Sequence, residues 1–303
     1  MISVIIPTCN RPVELNILLN KISLQTMSVN EVLIIDSSDK PFAVGPDYNW
    51  GFNLIIQHVA VKSAALQRNI GMKMLSSECD YLCFLDDDVQ PDPDYIFRLI
   101  EGLEKTGGIG ISGIALNPLK RDLLRTKPSG PYGFLQRFFG LDSLRDGTLL
   151  KSGVNIPIRT YEGTIQKVEW LIGCSIWKYD HVSDLKFEAD FMGQSLSEDV
   201  IFSYRASLRG ELFVDPTIHL NHSESEIGRP KGLEFWSMWV VNRNRLAKLV
   251  AKNTLQLLPY HFANFGQFLS LIYGGIFVNK QLPVQALGIP LGYVRLVRRK
   301  ISS

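Results

Sequence analysis

Short β-branched runs alternate with amphipathic stretches through the first third of this chain, and that alternation restricts its fold more than any other feature. "ISVIIPT" ends at Pro7 and Thr8, and "PVELNILLNKISLQ" follows with Leu15, Leu18, Leu19 and Ile22 at helical spacing, which predicts a strand and then a helix. "EVLIIDSSD" and "FNLIIQHV" read as buried strands. "SAALQRNIGMKML" places Leu66, Ile70 and Met74 on one helical stripe behind Ser63 as N-cap, and "YLCFL" reads as a further strand. Strands alternating with helices predict an α/β fold, a mostly parallel Rossmann-like sheet flanked by helices. At 303 residues and 46% hydrophobic content, the chain has material for one large α/β domain or two ordinary ones.

In such sheets ligands bind outside the carboxyl ends of the strands. Three of these ends carry polar clusters: Thr8, Asn10 and Arg11, then Asp36, Ser37 and Ser38, then Asp86, Asp87 and Asp88 in "FLDDDV". Adjacent carboxylates raise one another's pKa, so either this is a solvated loop or something cationic sits against it. No G-x-G-x-x-G follows the first strand, which removes the main support for a dehydrogenase. A divalent cation held by carboxylates bridges a diphosphate, and that gives an acidic cluster a purpose at the mouth of a nucleotide site. The net charge of +2, from 32 basic and 30 acidic residues, makes no general case for nucleic acid. Cys9, Cys79, Cys83 and Cys174 show no zinc-like pairing, and "MISVIIPTCN" lacks the features of a signal peptide, so a reducing, cytoplasmic setting is expected.

"SVIIPTCNRP", "LIIDSSD", "QRNIGM", "FLDDDV" and "SEDVIFSYRASLRG", in this order and at these separations, resemble the inverting family 2 glycosyltransferases of the GT-A fold. The resemblance implies a nucleotide-binding half over 1–116, an acceptor half over 117–230 and a helical C-terminal extension over 231–303. It implies that Pro7, Thr8 and Arg11 line the nucleotide pocket, that Asp36 contacts base or ribose, and that Arg68 and Asn69 lie near the donor, with Gly71 permitting close packing. Asp36 also reads as a turn former, and Asn69 as part of an exposed helix face. The family's D-x-D maps to Asp86 and Asp88: Asp86 would reach the ribose or a Mn²⁺ or Mg²⁺ ion, and Asp88 would bind the ion directly. Asp87 joins the donor-binding set through a structural bond, since it alternates away on an extended backbone. Val89 stands where many relatives carry a further acid, which implies weaker metal affinity.

The family's general base comes from an acidic pair at a helix start, which maps to Glu198 and Asp199. Adjacent helical residues point about 100° apart, so both cannot face one substrate atom. Ser195 to Glu198 fit the capping box S-x-x-E, which would tie Glu198 to the Ser195 amide and leave Asp199 as base, although a helix dipole alone also favours acids there. The family's metal-ligating histidine maps to His222, six residues past Pro216, while His219 packs within the strand. "VEWLIGCSIWKYD" resembles the acceptor-side strand, with Trp170, Gly173 and Cys174 near the donor sugar; a ring there would stack on a pyranose face, and Trp170 reads equally as core. Residues 117 to 153 break the α/β rhythm, and Lys120, Arg121, Arg125, Lys127 and Arg137 either meet a phosphate-bearing acceptor or belong to a solvated loop.

The implied reaction is inverting transfer from a UDP-, GDP- or dTDP-linked sugar to a hydroxyl of a glycan or lipid-linked acceptor. A nucleotidyltransferase would want a Gly-rich basic loop where "PTCNRPVE" stands, and a non-catalytic sugar-nucleotide-binding protein would lack the base or the metal acids. Farther on, "KGLEFWSMWVVNRNRLAKLVAKN" reads as a helix with Phe235, Met238, Trp239, Asn242 and Leu246 along one side. "LPYHFANFGQFLSLIYGGIFV" is apolar and aromatic, but His261, Asn264 and Gln267 leave less than the roughly 20 apolar residues a bilayer requires. Peripheral attachment is expected, with these helices in the interface and Arg295, Arg298, Arg299 and Lys300 against anionic headgroups. The rival expectation is that they close the core or form a dimer contact.

Overall fold

The computed structural model describes residues 1–45, 50–116, 127–160, 163–188, 197–222, 231–277 and 281–302. The chain opens with β1 (Ile2–Thr8), α1 (Pro12–Ser23), β2 (Glu31–Asp36), β3 (Asn53–His58), α2 (Ala64–Met74) and β4 (Tyr81–Phe84). It continues through β5 (Val89–Pro91), α3 (Tyr95–Thr106), β6 (Gly110–Leu116), α4 (Gly130–Phe138), β7 (Gln166–Val168), β8 (Ser175–Lys178), α5 (Glu198–Ser207) and β9 (Leu212–His222). It closes with α6 (Gly232–Val250), α7 (Leu258–Phe277), α8 (Leu282–Ala286) and α9 (Gly288–Ser302). These elements form two compact units, Met1–Arg125 with Ile158–Ile227, and Thr126–Pro157 with Gly228–Ser303. Lys120, Arg121 and Arg125 lie outside the described residues.

The first unit is an α/β sheet in the order β3-β2-β1-β4-β8-β6-β9-β5, with β7 paired to β9. Six of the nine strands among the described residues run in one direction, and β5, β7 and β8 oppose them. β1 and β2 are buried along their whole length, as two-sided coverage by helices requires. β3, expected to be buried, is half-buried to exposed, because it forms the edge of the sheet and pairs only with β2. α1 buries the four residues its spacing marked, Leu15, Leu18, Leu19 and Ile22, in a core shared with Val4, Ile6, Leu99 and Ile176. Each such side chain contributes about 1.5–3 kcal/mol by leaving water.

α2 departs from its apolar stripe. Leu66, Ile70 and Met74 are only half-buried, and the inward face carries Ala65, Gln67, Arg68, Gly71 and Met72. The Ser63 hydroxyl accepts the Leu66 amide at 3.4 Å, so the helix starts where its cap was expected. Gly71 then lets the helix lie directly on β1, since a Cβ there would stand 2.7 Å from Ile5 Cγ2. The helix thereby turns Gln67 and Arg68 toward the carboxyl ends of the strands. Gln67 Nε2 donates to the carbonyls of Thr8, at 2.8 Å, and of Ile35, which locks the ends of β1 and β2 together.

The second unit is helical. Its core holds Val240, Ala247, Tyr260, Leu271, Ala286 and Ile289. Of the five residues expected along one side of α6, Asn242 and Leu246 are buried while Phe235, Met238 and Trp239 are half-buried, and Ser237, Val240, Asn244 and Ala247 also point inward. The reason is α9: a Cβ on Gly288 would stand 2.4 Å from the Leu233 carbonyl, and one on Gly292 would stand 2.6 Å from Val240 Cβ, so the two backbones approach closely over small residues. Arg295, expected at lipid headgroups, donates from both Nη atoms to Glu234 at 2.7 Å, and the side chains of Arg299 and Lys300 lie outside the described residues. No helix among the described residues is long and apolar enough to cross a membrane.

Replacing Gly71 by valine is expected to lower stability by about 1–3 kcal/mol, because branched carbons would enter space held by Ile5. A urea midpoint that falls with an unchanged slope is the checking measurement.

Candidate active site

Thr8 ends β1, and Asn10 beyond it takes a left-handed conformation, φ 56°, which asparagine tolerates better than most residues. Its amide donates to Ser38 Oγ at 2.7 Å, so the ends of β1 and β2 are joined again in their loops. That turn delivers Arg11 to the acids after β4. Arg11 Nη1 donates to Asp87 Oδ1 at 2.8 Å and Asp88 Oδ2 at 3.0 Å, and the Thr8 hydroxyl donates to Asp87 Oδ2 at 2.7 Å. On the other side of Asp88, His222 Nε2 lies 3.0 Å from Oδ1. The sheet explains this meeting, because Val89 of β5 pairs antiparallel with His222 at the end of β9. Val89 is accordingly a core residue.

A second arginine serves the remaining acids. Arg68 Nη2 donates to Asp86 Oδ1 at 2.6 Å and Nη1 to Glu198 Oε1 at 2.7 Å, while its guanidinium lies 5.4 Å from the centre of the Phe187 ring. Phe187 stacks on Phe202 at 4.2 Å, so the cation is backed by aromatic surface. A Cβ at Gly173 would stand 3.2 Å from Arg68 Nη2 and 3.4 Å from Asp86 Oδ2, hence the missing side chain at 173 leaves this ion pair its space. Arg68 Nε and Glu198 Oε2 are buried without a hydrogen-bond partner. Unmet polar capacity at the centre of a cluster is what an incoming polar ligand would satisfy.

α5 begins at Glu198, with Ser197 as its N-cap at φ 79° and no side-chain capping bond. The expected capping box is corrected here: Glu198 is the first helical residue instead of the third, and Arg68 engages it. Ser195 and Leu196 lie outside the described residues. Asp199 follows half-buried, with Oδ1 accepting the Val200 amide at 2.8 Å. Burial raises the pKa of both acids, Arg68 pulls both down by a smaller amount, and each remains above the usual carboxylate range. Asp87 is pushed up to about 6 by burial, with Arg11 and Thr8 opposing the shift.

Several expected residues serve the frame. Asp36 is fully buried, and its oxygens accept the amides of Ser38 at 2.8 Å and Phe42 at 2.7 Å. Burial raises its pKa, but bonds from Ser38, Phe42 and His58 outweigh that and hold the carboxyl below its ordinary value. The turn-forming reading of Asp36 describes these contacts. Asn69 is no exposed helix residue, because its amide bonds both the carbonyl and the amide of Phe187 at 2.8 Å. Pro7 is buried within β1. Trp170, Gly173 and Cys174 precede β8 instead of belonging to a strand; Trp170 is buried, and the Cys174 carbonyl accepts the Tyr95 hydroxyl at 3.0 Å. His219 Nε2 lies 2.8 Å from the Pro216 carbonyl, in keeping with a packing role. Gln67 and Phe187 were missed. A polar pair on the inward face of an amphipathic helix was the only available signal for Gln67, and nothing local marks Phe187.

The profile of Glycosyl transferase family 2 matches residues 3–161, more than half of the chain, and the protein belongs to that family. An uncharacterized glycosyltransferase of Haemophilus influenzae is 33% identical over 110 residues, which are 36% of this chain and 36% of that protein. The chain thus aligns with about a third of the length of that curated relative. Among solved structures, S. aureus TarS is similar with a TM-score of 0.51 at 15% identity, covering 86% of this chain and 43% of TarS. S. aureus TarS 1-349 in complex with UDP-GlcNAc also gives 0.51, at 13% identity, covering 97% of this chain and 91% of that one. At these identities the shared property is the GT-A fold.

Replacing Arg68 by methionine is expected to cost about 3–5 kcal/mol near neutral pH, because Asp86 and Glu198 lose their counter-ion within a desolvated site. The loss shrinks as pH falls, since the Glu198 carboxyl, its pKa already raised by burial, takes up a proton and its neutral form needs no counter-ion. Denaturation midpoints of both proteins across acid and neutral pH check the magnitude and the sign.

Proposed function

We propose that the protein transfers a sugar, with inversion, from a nucleotide-sugar donor to a hydroxyl of a glycan or lipid-linked acceptor, with Asp199 as general base. The observation that carries this reading is the position of Asp199 at the start of α5, next to a Glu198–Arg68–Asp86 chain that reaches the acids after β4. Family membership supports a nucleotide-sugar donor, UDP-, GDP- or dTDP-linked, and the UDP-GlcNAc complex of the structurally similar TarS makes a UDP-linked donor the first to test. In this reading Asp199 takes the acceptor proton, the freed oxygen attacks the anomeric carbon, and the diphosphate leaves from the opposite face, which inverts that carbon. A pKa raised by burial makes Asp199 a stronger base than an exposed aspartate. Arg11 and Arg68, each ion-paired with the acids after β4, would in the same reading offset the negative charge that grows on the leaving group.

The residues assigned to a divalent cation are Asp86, Asp88 and His222. Among the described residues no three acid, histidine or cysteine side chains form a ready-made cage. The donor chemistry fits all the same: two carboxylates suit Mn²⁺ or Mg²⁺, a neutral imidazole is a reasonable third ligand for Mn²⁺, and Asp88 and His222 lie 3.0 Å apart. When bound, such an ion would supply neutralisation of the donor diphosphate. Asp87, held by Thr8 and Arg11, keeps the loop in register, and Asn69 performs the same service for Phe187 behind Arg68. A lipid-linked acceptor at the cytoplasmic face of a membrane is the acceptor class this reading favours.

Asp199→Asn is expected to lower turnover about two to four orders of magnitude while nucleotide binding survives, as loss of a general base does. Steady-state release of nucleoside diphosphate, together with calorimetry of nucleotide binding, checks it; near-normal turnover would remove Asp199 from this role. Asp88→Ala is expected to weaken Mn²⁺-dependent nucleotide binding more than Asp87→Ala does. Equal effects in the same calorimetric titration would overturn the assignment of Asp88 to the ion.

A further inference from the structure

We propose that the helical unit docks on an anionic lipid bilayer through an aromatic surface formed by α4 and α7. The proposal rests on the membrane-face reading given above and locates the contact. α7 contains no Asp, Glu, Lys or Arg in its whole length. Its inner face is already used, since Tyr260, Ala263, Asn264 and Leu271 are buried. A second apolar face remains in solvent: Leu258, Phe262, Phe265, Leu269 and Tyr273 recur at intervals of three and four residues, and their exposures run from 40% to 64%. α4 extends that face with Phe134 and Phe138, and the Phe138 ring lies 5.4 Å from that of Phe262. Between them opens a groove of 650 Å³, with Arg137 and His261 as its polar members. Contiguous exposed aromatic surface on this scale marks an interaction site.

Charge selects the occupant. The helical unit holds fifteen lysines and arginines against three acids, while the α/β unit holds seventeen against twenty-seven. The whole-chain value of +2 hides this separation. A basic unit with an exposed aromatic face is complementary to anionic headgroups over an acyl layer. Two copies joined through this same face would bring two like excesses of charge together. No helix among the described residues can cross the bilayer, so the contact is interfacial.

The test is flotation of the full chain with vesicles of phosphatidylcholine containing about one third phosphatidylglycerol, against vesicles of phosphatidylcholine alone. The expected result is binding to the anionic vesicles, at least about tenfold weaker binding to the neutral ones, and release by salt. Phe134→Ser combined with Phe265→Ser should lower binding at least about tenfold with an unchanged melting temperature. Phe138→Ser combined with Leu269→Gln should do the same, which guards against a local folding effect in either pair. Failure to bind anionic vesicles, or binding that neither pair weakens, overturns the proposal. So does a dimer in light scattering that both pairs convert to monomer, because a second copy would then cover the face. Release of nucleoside diphosphate from a nucleotide sugar, assayed without lipid on the same samples, tests the transferase reading separately, and the vesicle result decides the docking surface in either case.

Discussion

The Arg68 guanidinium is the interaction on which the site depends. It joins α2, the acids after β4 and the first residue of α5, three elements far apart in sequence, with the ring of Phe187 behind it. Its side chain is 3% exposed, so its charge has given up nearly all of its hydration. Two carboxylates and an aromatic face offset that cost, and removal of any one would leave the others desolvated. The Gly71 contact with Ile5 is part of the same arrangement, because only a helix seated that low on β1 carries Arg68 to the strand ends. The neighbouring Gln67 closes the base of the cluster through backbone carbonyls.

Two residues with left-handed backbone flank this cluster. Asn10 precedes Arg11, and Ser197 precedes Glu198 and Asp199. Such conformations cost a non-glycine residue about 1–3 kcal/mol and persist where the surroundings enforce them. Bonds from Asn10 to Ser38 and Asp39 supply that enforcement on one side. On the other side, the Arg68 bond to Glu198 holds the first turn of α5 from outside, in place of a side-chain cap.

Much of the α/β frame was legible because it is written in local periodicity. The stripe of α1 and the β-branched runs of β1, β2 and β4 each state their own burial, and the acids after β4 fall where strand ends gather. Legibility stopped where a partner distant in sequence set the environment. β3 reads as a buried strand by composition but lies at the edge, a property of strand order. α2 carries an apolar stripe, yet the tight seat at Gly71 turned a polar face inward. In α6 the close approach of the α9 glycines brought Ser237 and Val240 inward beside the expected Asn242 and Leu246.

What the sequence by itself determined is therefore the set of elements, the class of fold and the residue types brought to the strand ends, since each depends on spacing within a dozen residues. Tertiary structure alone decided the pairings: Arg11 with Asp87 and Asp88, Arg68 with Asp86 and Glu198, and His222 with Asp88. It also decided that Asp36 and Asn69 hold backbone, and that a nearly neutral chain separates into a basic helical unit and an acidic α/β unit. The physical reason is range. Periodicity and propensity act between neighbours along the chain, whereas ion pairing, desolvation and close packing depend on which distant segments the sheet order and the glycine contacts bring together.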